Sequence, residues 1–162
     1  MRRSGLLAAL LLVAAVAQAQ LAPDDPDWRE AEAPPAPAVK LQGLIPLEVP
    51  GSALRFGVDP SSITVGEDGI VRYVVVATSS SGVVNAIYEG IRCGNGEVKI
   101  YARHGPAGWR VLKDAKWRPV NEQRYTQIIA RGGACTGRSA NGSPAQIARD
   151  LRTPIEQRYY RD

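Results

Sequence analysis

The stretch that decides the fold runs from Ile70 to Arg103 and reads IVRYVVVATSSSGVVNAIYEGIRCGNGEVKIYAR. Three runs of β-branched and aromatic residues are separated by turn-forming residues at 79–82 and 94–96. Strands that tight hairpins connect must run in opposite directions, so the stretch predicts an antiparallel β-meander at the centre of a sheet.

The two turns also predict a register. We expect a four-residue loop at 79–82, and Asn95-Gly96 is typical of a type I′ turn. The predicted opposing pairs are Thr78 and Val83, Val74 and Ile87, Arg72 and Glu89, Cys93 and Val98, Ile91 and Ile100, and Gly90 and Tyr101.

Alternation of side chains then sorts the strands into two faces. The apolar face is expected to point to the core and carries Ile70, Arg72, Val74, Val76, Asn85, Ile87, Glu89, Ile91, Cys93, Val98 and Ile100. The opposite face is aromatic and basic, and its candidate binding residues are Tyr73, Tyr88, Tyr101, Arg92, Lys99 and Arg103. Tyrosines beside cations suit an anionic glycan or a peptide. The alternatives are that the chain's own acidic N-terminal arm lies there with Trp28, or that the face is solvated.

Arg72 and Glu89 place opposite charges across neighbouring strands of the apolar face in this register. A buried carboxylate is tolerated when it is paired and hydrogen-bonded, which favours a structural ion pair. The other interpretation makes Glu89 an acid–base or ligand-binding carboxylate.

The rest of the chain predicts further strands and two helices. Residues 41–49, 54–58 and 63–65 are expected to be short strands, the first of them at an edge because of Pro46, and 109–112 a fourth strand of the meander. A helix is predicted over 122–131 with Asn121 as N-cap, and a second begins at Ser143-Pro144. The predicted fold class is α+β: an antiparallel β-meander sheet with C-terminal helices packed on one face, in a single domain over 41–162.

The first residues predict export. Arg2 and Arg3 precede an apolar run from Leu6 to Val16, and Ala17-Gln18-Ala19 is typical of a signal-peptidase site. We therefore expect a signal peptide over 1–19, cleavage after Ala19, a periplasmic protein, and no membrane span after cleavage. Residues 20–40 are predicted to be an acidic, Pro/Ala-rich linker that contains Trp28.

Charge is unevenly distributed along the chain. Residues 20–68 hold nine acidic and three basic residues, and residues 69–162 hold seven acidic and fifteen basic ones. The two parts can attract each other, or the basic part can bind an anionic partner.

Cys93 and Cys135 are the two cysteines of the chain. In an exported protein they favour a disulfide, which would staple the first predicted helix to the sheet. A metal site or a catalytic thiol is the alternative, but two cysteines and one histidine are a poor ligand set.

Several sequence blocks resemble the CNP-like family of small exported proteobacterial proteins. The most specific block is Tyr88-Glu89-Gly90-Ile91-Arg92-Cys93. The others are Leu44-Ile45-Pro46, Val58-Asp59-Pro60-Ser61, Asp68-Gly69, Arg72-Tyr73, Ser81-Gly82, Asn85, Trp109, Trp117-Arg118-Pro119, Asn121, Tyr125 and Cys135. The resemblance covers nearly all of the mature chain expected after cleavage and implies an envelope protein, without implying catalytic residues.

No motif names a reaction. The chain has one histidine, His104, in a Gly-Pro loop, and it contains no P-loop, dinucleotide fingerprint or zinc spacing, so we predict no catalytic residues, no metal and no cofactor. The export signal and modest net charge argue against nucleic acid. The leading hypothesis is a non-enzymatic envelope module that binds an envelope protein or anionic glycan through the aromatic–basic face. The alternative is a hydrolase-type enzyme that acts on an envelope polymer with Glu89 or Asp59.

Overall fold

The sheet is the centre of the structure, a computed structural model that describes residues 26–153. The predicted signal peptide and linker residues 20–25 lie outside the described residues. The strands follow the antiparallel order β1-β2-β4-β5-β6-β7, while β3 pairs with β4 and β8 with β6. Their bounds are β1 Ile45–Leu47, β2 Arg55–Val58, β3 Thr64–Val65, β4 Ile70–Thr78, β5 Val84–Arg92, β6 Glu97–Gly105, β7 Gly108–Val111 and β8 Arg118–Pro119. The predicted meander, its fourth strand and the edge position of β1 are confirmed.

The helices follow the sheet in the chain. α1 spans Arg124–Ile129 and continues into a wide turn, Ala130–Ala134; the hairpin β9 Cys135–Thr136 and β10 Ser139–Ala140 leads to α2, Pro144–Arg152. Ser143 caps α2 as predicted, accepting a hydrogen bond from the Gln146 amide. The prediction that Asn121 caps the first helix is wrong: it lies in a short 3-10 turn, because the Val120 amide donates to Gly96 O and ties this segment to the sheet. Within residues 26–153, no helix combines the length and apolar character that crossing a membrane requires.

The predicted register of β4 against β5 is wrong by one residue. Val74 lies opposite Tyr88, and Tyr73 rather than Arg72 lies opposite Glu89. The connecting loop contains five residues, 79–83, and Ser79 and Val83 close it: the Ser79 amide donates to the Val83 carbonyl, and the Ser79 side chain accepts from the Val83 amide. A one-residue slip moves every side chain of β4 to the other face.

The register of β5 against β6 differs from the prediction by two residues, which preserves the faces at this end. Ile91 lies opposite Val98. A type I′ turn needs positive φ at both central residues, and only Gly96 has it (φ 65°), so Asn95-Gly96 does not form that turn.

A β-bulge further along β6 changes the faces again. Ile100 lies opposite Glu89, but Ala102 lies opposite the next residue, Tyr88, so Tyr101 is the extra residue. After the bulge, Arg103 shares a face with Ile100 and Glu89 instead of with Tyr101.

α1 and α2 cover one face of the sheet, called here the helix-covered face. Its core contains Val71, Tyr73, Val75, Ile87, Ile91 and Val98 from the sheet, packed with Tyr125, Ile129 and Ile147 from the helices. The predicted disulfide is confirmed: Cys93, directly after β5, is bonded to Cys135, directly after the wide turn. The disulfide therefore fastens α1 to the sheet, and the predicted α+β class is correct.

Residues 26–40 cover the opposite face, called here the arm-covered face. They contain no helix or strand, and Ala33, Ala36 and Val39 pack against a second buried cluster. That cluster consists of Val74, Val76, Ala86, Tyr88, Tyr101 and Ala102.

Candidate ligand-binding cavity

Arg72 and Glu89 do not form the predicted ion pair, because the slipped register places them on opposite faces of the sheet. The Nη2 atom of Arg72 lies 2.6 Å from Oδ2 of Asp68, and both side chains are almost completely buried. Burial alone would raise the pKa of Asp68, but hydrogen bonds from Arg72, Ile70 and Ala31 outweigh it and hold that pKa below its usual value. The buried charge of Arg72 is thus balanced within the arm-covered face.

Glu89 lies on the helix-covered face with no exposed surface. Its Oε1 accepts hydrogen bonds from the Tyr73 hydroxyl at 2.7 Å and from Thr126 at 3.3 Å, and its Oε2 accepts one from the Tyr125 hydroxyl at 3.1 Å. Three hydroxyl groups, two of them from α1, therefore replace the cation that the sequence predicted.

Hydroxyl groups do not compensate burial as fully as a cation does. Burial raises the pKa of Glu89 to about 7, although the hydrogen bonds from Tyr73, Tyr125 and Thr126, and then the charge of Arg103, act to lower it. Burial, reinforced by the nearby carboxylate, also raises the pKa of Tyr73 and Tyr125, so both stay protonated and able to donate. Glu89 is therefore a carboxyl group that titrates near neutral pH.

A cavity of about 370 Å³ has Glu89 among its lining residues. Its walls come from β5 and β6, from the segment 112–117 that connects β7 to β8, from β8, and from residues 122–123 just before α1. Besides Glu89, five charged residues line these walls: Arg103, Lys116, Arg118, Asp114 and Glu122. Val98, Ile100, Leu112 and Pro119 add an apolar surface. The volume lies within the range of small-molecule sites.

The predicted aromatic–basic binding face is not one surface. Tyr73 lies on the helix-covered face, and Arg103 lines the cavity there, because of the register slip and the bulge. Tyr88 and Tyr101 are buried beneath the arm, with ring centroids 5.4 Å apart. Tyr101 also lies over Gly90, as predicted, since a Cβ atom on that glycine would stand 2.9 Å from the ring.

The two remaining cations of that face contact the arm. The guanidinium of Arg92 lies 3.7 Å from the ring centroid of Trp28, and Lys99 Nζ lies 2.9 Å from Glu30 Oε2. This arrangement corresponds to the alternative in which the acidic arm lies on the face, although Trp28 stacks on a cation and meets Trp117 edge-on instead of lying among tyrosines.

Asp59 and His104 lie away from the cavity walls. Asp59 is buried and caps the short 3-10 turn Pro60–Ser62, accepting from the Ser61 amide at 2.9 Å and the Ser61 hydroxyl at 2.7 Å. His104 packs edge-on against Trp109, with ring centroids 5.2 Å apart. Both contacts give these residues structural roles.

Sequence reasoning missed most of the cavity. Four of its charged residues come from short or irregular elements between β7 and α1, whose position depends on the pairing of β8 with β6: Asp114, Lys116, Arg118 and Glu122. Tyr125 was placed on a helix by its spacing, but nothing in that spacing indicates that its hydroxyl reaches Glu89 36 residues away. Lone polar residues on a helix give no signal for such a long-range partner.

Comparison with known proteins places the chain in a family. The model of the CNP1-like family matches residues 23–152, which is most of the chain and includes both the arm and the cavity. Neither the curated proteins nor the solved structures contain a match.

Proposed function

The chain belongs to the CNP1-like family, and we propose that it is a non-enzymatic binding module of the cell envelope that holds a small anionic glycan fragment in the Glu89 cavity. The observation that carries the proposal is the cavity itself, which is lined by three cations, by two acids and by the buried carboxyl group of Glu89, whose pKa is raised to about 7. Of the predicted aromatic–basic face, four residues lie against the arm, namely Tyr88, Tyr101, Arg92 and Lys99, and are therefore covered.

The charges of the cavity favour an anionic group. Arg118 lies 3.5 Å from Glu122 in an exposed pair, so these two charges largely offset each other. Two cations, Arg103 and Lys116, and one acid, Asp114, are then left to set the charge of the cavity walls. Neither cation forms an ion pair with another residue of the described range 26–153. A carboxylate on the ligand would gain charge-assisted hydrogen bonds from these two side chains.

The apolar part of the cavity wall favours a ligand with a ring over an inorganic anion. Ile100 and Leu112 lie on the same cavity as the two cations. A sugar acid presents a carboxylate together with the C–H face of its ring, which matches both kinds of surface. This chemistry fits the predicted partner class of anionic glycans.

Glu89 supports a binding role more than a catalytic one. Its side chain has no exposed surface and its two oxygens accept three hydrogen bonds from protein hydroxyls. A general acid or base must come within hydrogen-bond reach of the reacting atom. The hydroxyls hold the carboxyl group back from that position.

Periplasmic location is part of the proposal. The disulfide Cys93–Cys135 suits an oxidising compartment. It agrees with the signal peptide predicted over residues 1–19, whose cleavage after Ala19 would be visible as a new N-terminus in protein recovered from the periplasm.

The binding proposal is tested by titrating the protein with galacturonic acid trimer and, as the neutral control, maltotriose. We expect binding of the acidic trimer alone, and Arg103→Gln or Lys116→Gln should each weaken it roughly tenfold. Arg110→Gln removes an exposed cation of β7 that does not line the cavity, and it should leave binding unchanged. Equal affinity for maltotriose, or equal losses in all three variants, would rule the cavity out as an anion site.

The second candidate is a hydrolase that uses Glu89. A carboxyl group with a pKa near 7 in a cavity that also holds Asp114 and Glu122 is the observation in its favour, since paired carboxyl groups can act as acid and base. Release of reducing ends from the acidic trimer by wild-type protein, abolished in Glu89→Gln, would support catalysis. Binding without turnover supports the module.

A further inference from the structure

The arm, residues 26–40, contacts the sheet with a period of three residues. Glu30, Ala33, Ala36 and Val39 are partly buried, whereas most residues between them are exposed. A polyproline II helix has three residues per turn, so every third side chain lies on one side. The prolines at 34, 35 and 37 favour this conformation, and the arm therefore presents one regular edge to the sheet.

The sheet recognises side chains at one end of the arm. The indole of Trp28 stacks on Arg92 at 3.7 Å and donates to Asp68 O at 2.9 Å. Glu30 Oε2 lies 2.9 Å from Lys99 Nζ, and both side chains of this ion pair are partly buried. These contacts define which sequence fits.

The sheet also recognises the main chain of the arm. The Ala31 amide donates to Asp68 Oδ2 at 3.0 Å, and the Ala31 carbonyl accepts from Arg72 Nη2 at 3.3 Å. Further along, the carbonyl of Pro37 accepts from the Trp109 indole at 2.8 Å. An aromatic-lined groove that binds carbonyls of a proline-rich segment is a recurring mode of peptide recognition. None of these contacts requires the arm and the groove to belong to the same chain.

The link from the arm to β1 is short and exposed. Residues 40–43 are exposed, and Gly43 has a φ of 71°, a left-handed conformation that lets the chain reverse. A Cβ atom at this position would meet nothing within 4 Å. The link therefore contains one residue, Gly43, whose left-handed backbone conformation most other residue types would strain.

From these contacts we infer that the arm-covered face is a recognition groove for a proline-rich, acidic segment, and that its partner is the arm of a second copy of this chain. In the exchanged pair each groove keeps all the contacts described above. The arm of the same chain has the advantage of a high effective concentration, so exchange increases with protein concentration or when the link cannot reverse.

The first test uses the full chain with Gly43→Val, because a β-branched residue strains the left-handed conformation and straightens the link. The matched control is Gly51→Val, since Gly51 also has positive φ (79°) and open space around it. Sedimentation should show that Gly43→Val lowers the dissociation constant of a dimer roughly tenfold or more, while Gly51→Val leaves it at the wild-type value. Monomeric Gly43→Val protein at every concentration would overturn the inference.

The second test separates arm exchange from any other dimer. In the Gly43→Val background, one chain carries Glu30→Lys and the other carries Lys99→Glu. Each chain alone would place like charges together in an exchanged pair, whereas the mixture restores opposite charges in both grooves. Dimers that form preferentially in the mixture support exchange, and dimers that ignore the charges overturn it, because their interface lies elsewhere.

Discussion

The two faces of the sheet bury acidic groups in different ways. On the helix-covered face, Glu89 is surrounded by three hydroxyl donors, and burial raises its pKa to about 7. On the arm-covered face, Asp68 has the guanidinium of Arg72 at 2.6 Å, and its pKa lies below the usual value. An ion pair keeps a buried charge permanent, whereas hydroxyls leave it titratable near neutral pH.

The helices and the arm, which cover the two faces of the sheet, are also attached differently. The helices are fastened by the disulfide Cys93–Cys135, while the arm is held by Trp28, Glu30 and main-chain hydrogen bonds. We therefore expect the helix-covered face to open only when the whole domain unfolds, and the arm to detach in a local transition.

Removing the disulfide should have the largest effect. Cys93→Ala/Cys135→Ala opens a loop with a sequence separation of 42 residues, and the chain-entropy model assigns about 4 kcal/mol to a loop of that size. Urea unfolding of the oxidised wild type and the double variant measures the difference. A loss of less than about 1 kcal/mol in the free energy of unfolding would show that the disulfide does not hold the helices more firmly than the arm is held.

Glu89→Gln should change the pH dependence of stability. The folded pKa is raised from 4.5 to about 7, so the folded state keeps a proton that the unfolded state loses. Relative to the variant, the wild-type free energy of unfolding is highest below pH 4.5 and should fall by about 3 kcal/mol as the pH rises to 7. Urea unfolding at a series of pH values measures this, and parallel profiles would contradict the assigned titration.

Trp28→Ala should loosen the arm with less effect on the domain. Loss of the contact with Arg92 and of the partly buried indole should cost about 2 kcal/mol. Hydrogen exchange of the Ala31 amide, which Asp68 accepts in the docked arm, should accelerate by roughly 30-fold. Arg29→Ala is the control, since this exposed side chain donates to the carbonyls of Pro26 and Trp28 in its own segment. A matching loss of global stability would contradict local release.

Arg103→Gln should have the smallest effect. The positive charge of Arg103 favours ionised Glu89, so its removal should raise the pKa of Glu89 further. The carboxyl carbon of Glu89, followed by NMR through a pH titration, reports the midpoint. Arg110→Gln, an exposed cation on the neighbouring strand, should leave it in place. A lower midpoint in Arg103→Gln would show that the charge of Arg103 does not stabilise ionised Glu89.

The predicted elements were largely correct because their signals are local. β-branched runs indicated the central strands, and Ser143 and Pro144 indicated the start of α2. The disulfide needed only two cysteines and an export signal. Each of these inferences depends on residue types within one segment or on a single pairing.

The candidate site was predicted poorly because it depends on strand register, which changes with the number of residues in each turn and bulge. One extra residue in the loop before Val84 moved Arg72 away from Glu89, and one bulge residue, Tyr101, turned Arg103 toward the cavity. Successive side chains of a strand point to opposite faces of the sheet, so a register error of one residue reverses the predicted face of every residue that follows.

The sequence by itself determined the strands, the two helices, the bond between the cysteines and the acidic, proline-rich character of the arm. Only the tertiary structure decided that Asp68 balances Arg72, that Tyr73, Tyr125 and Thr126 surround Glu89, and that Arg103 shares its cavity. The physical reason is range. Propensities, caps and turn residues act over a few positions, whereas the partner of a buried charge is set by register and by segments far along the chain.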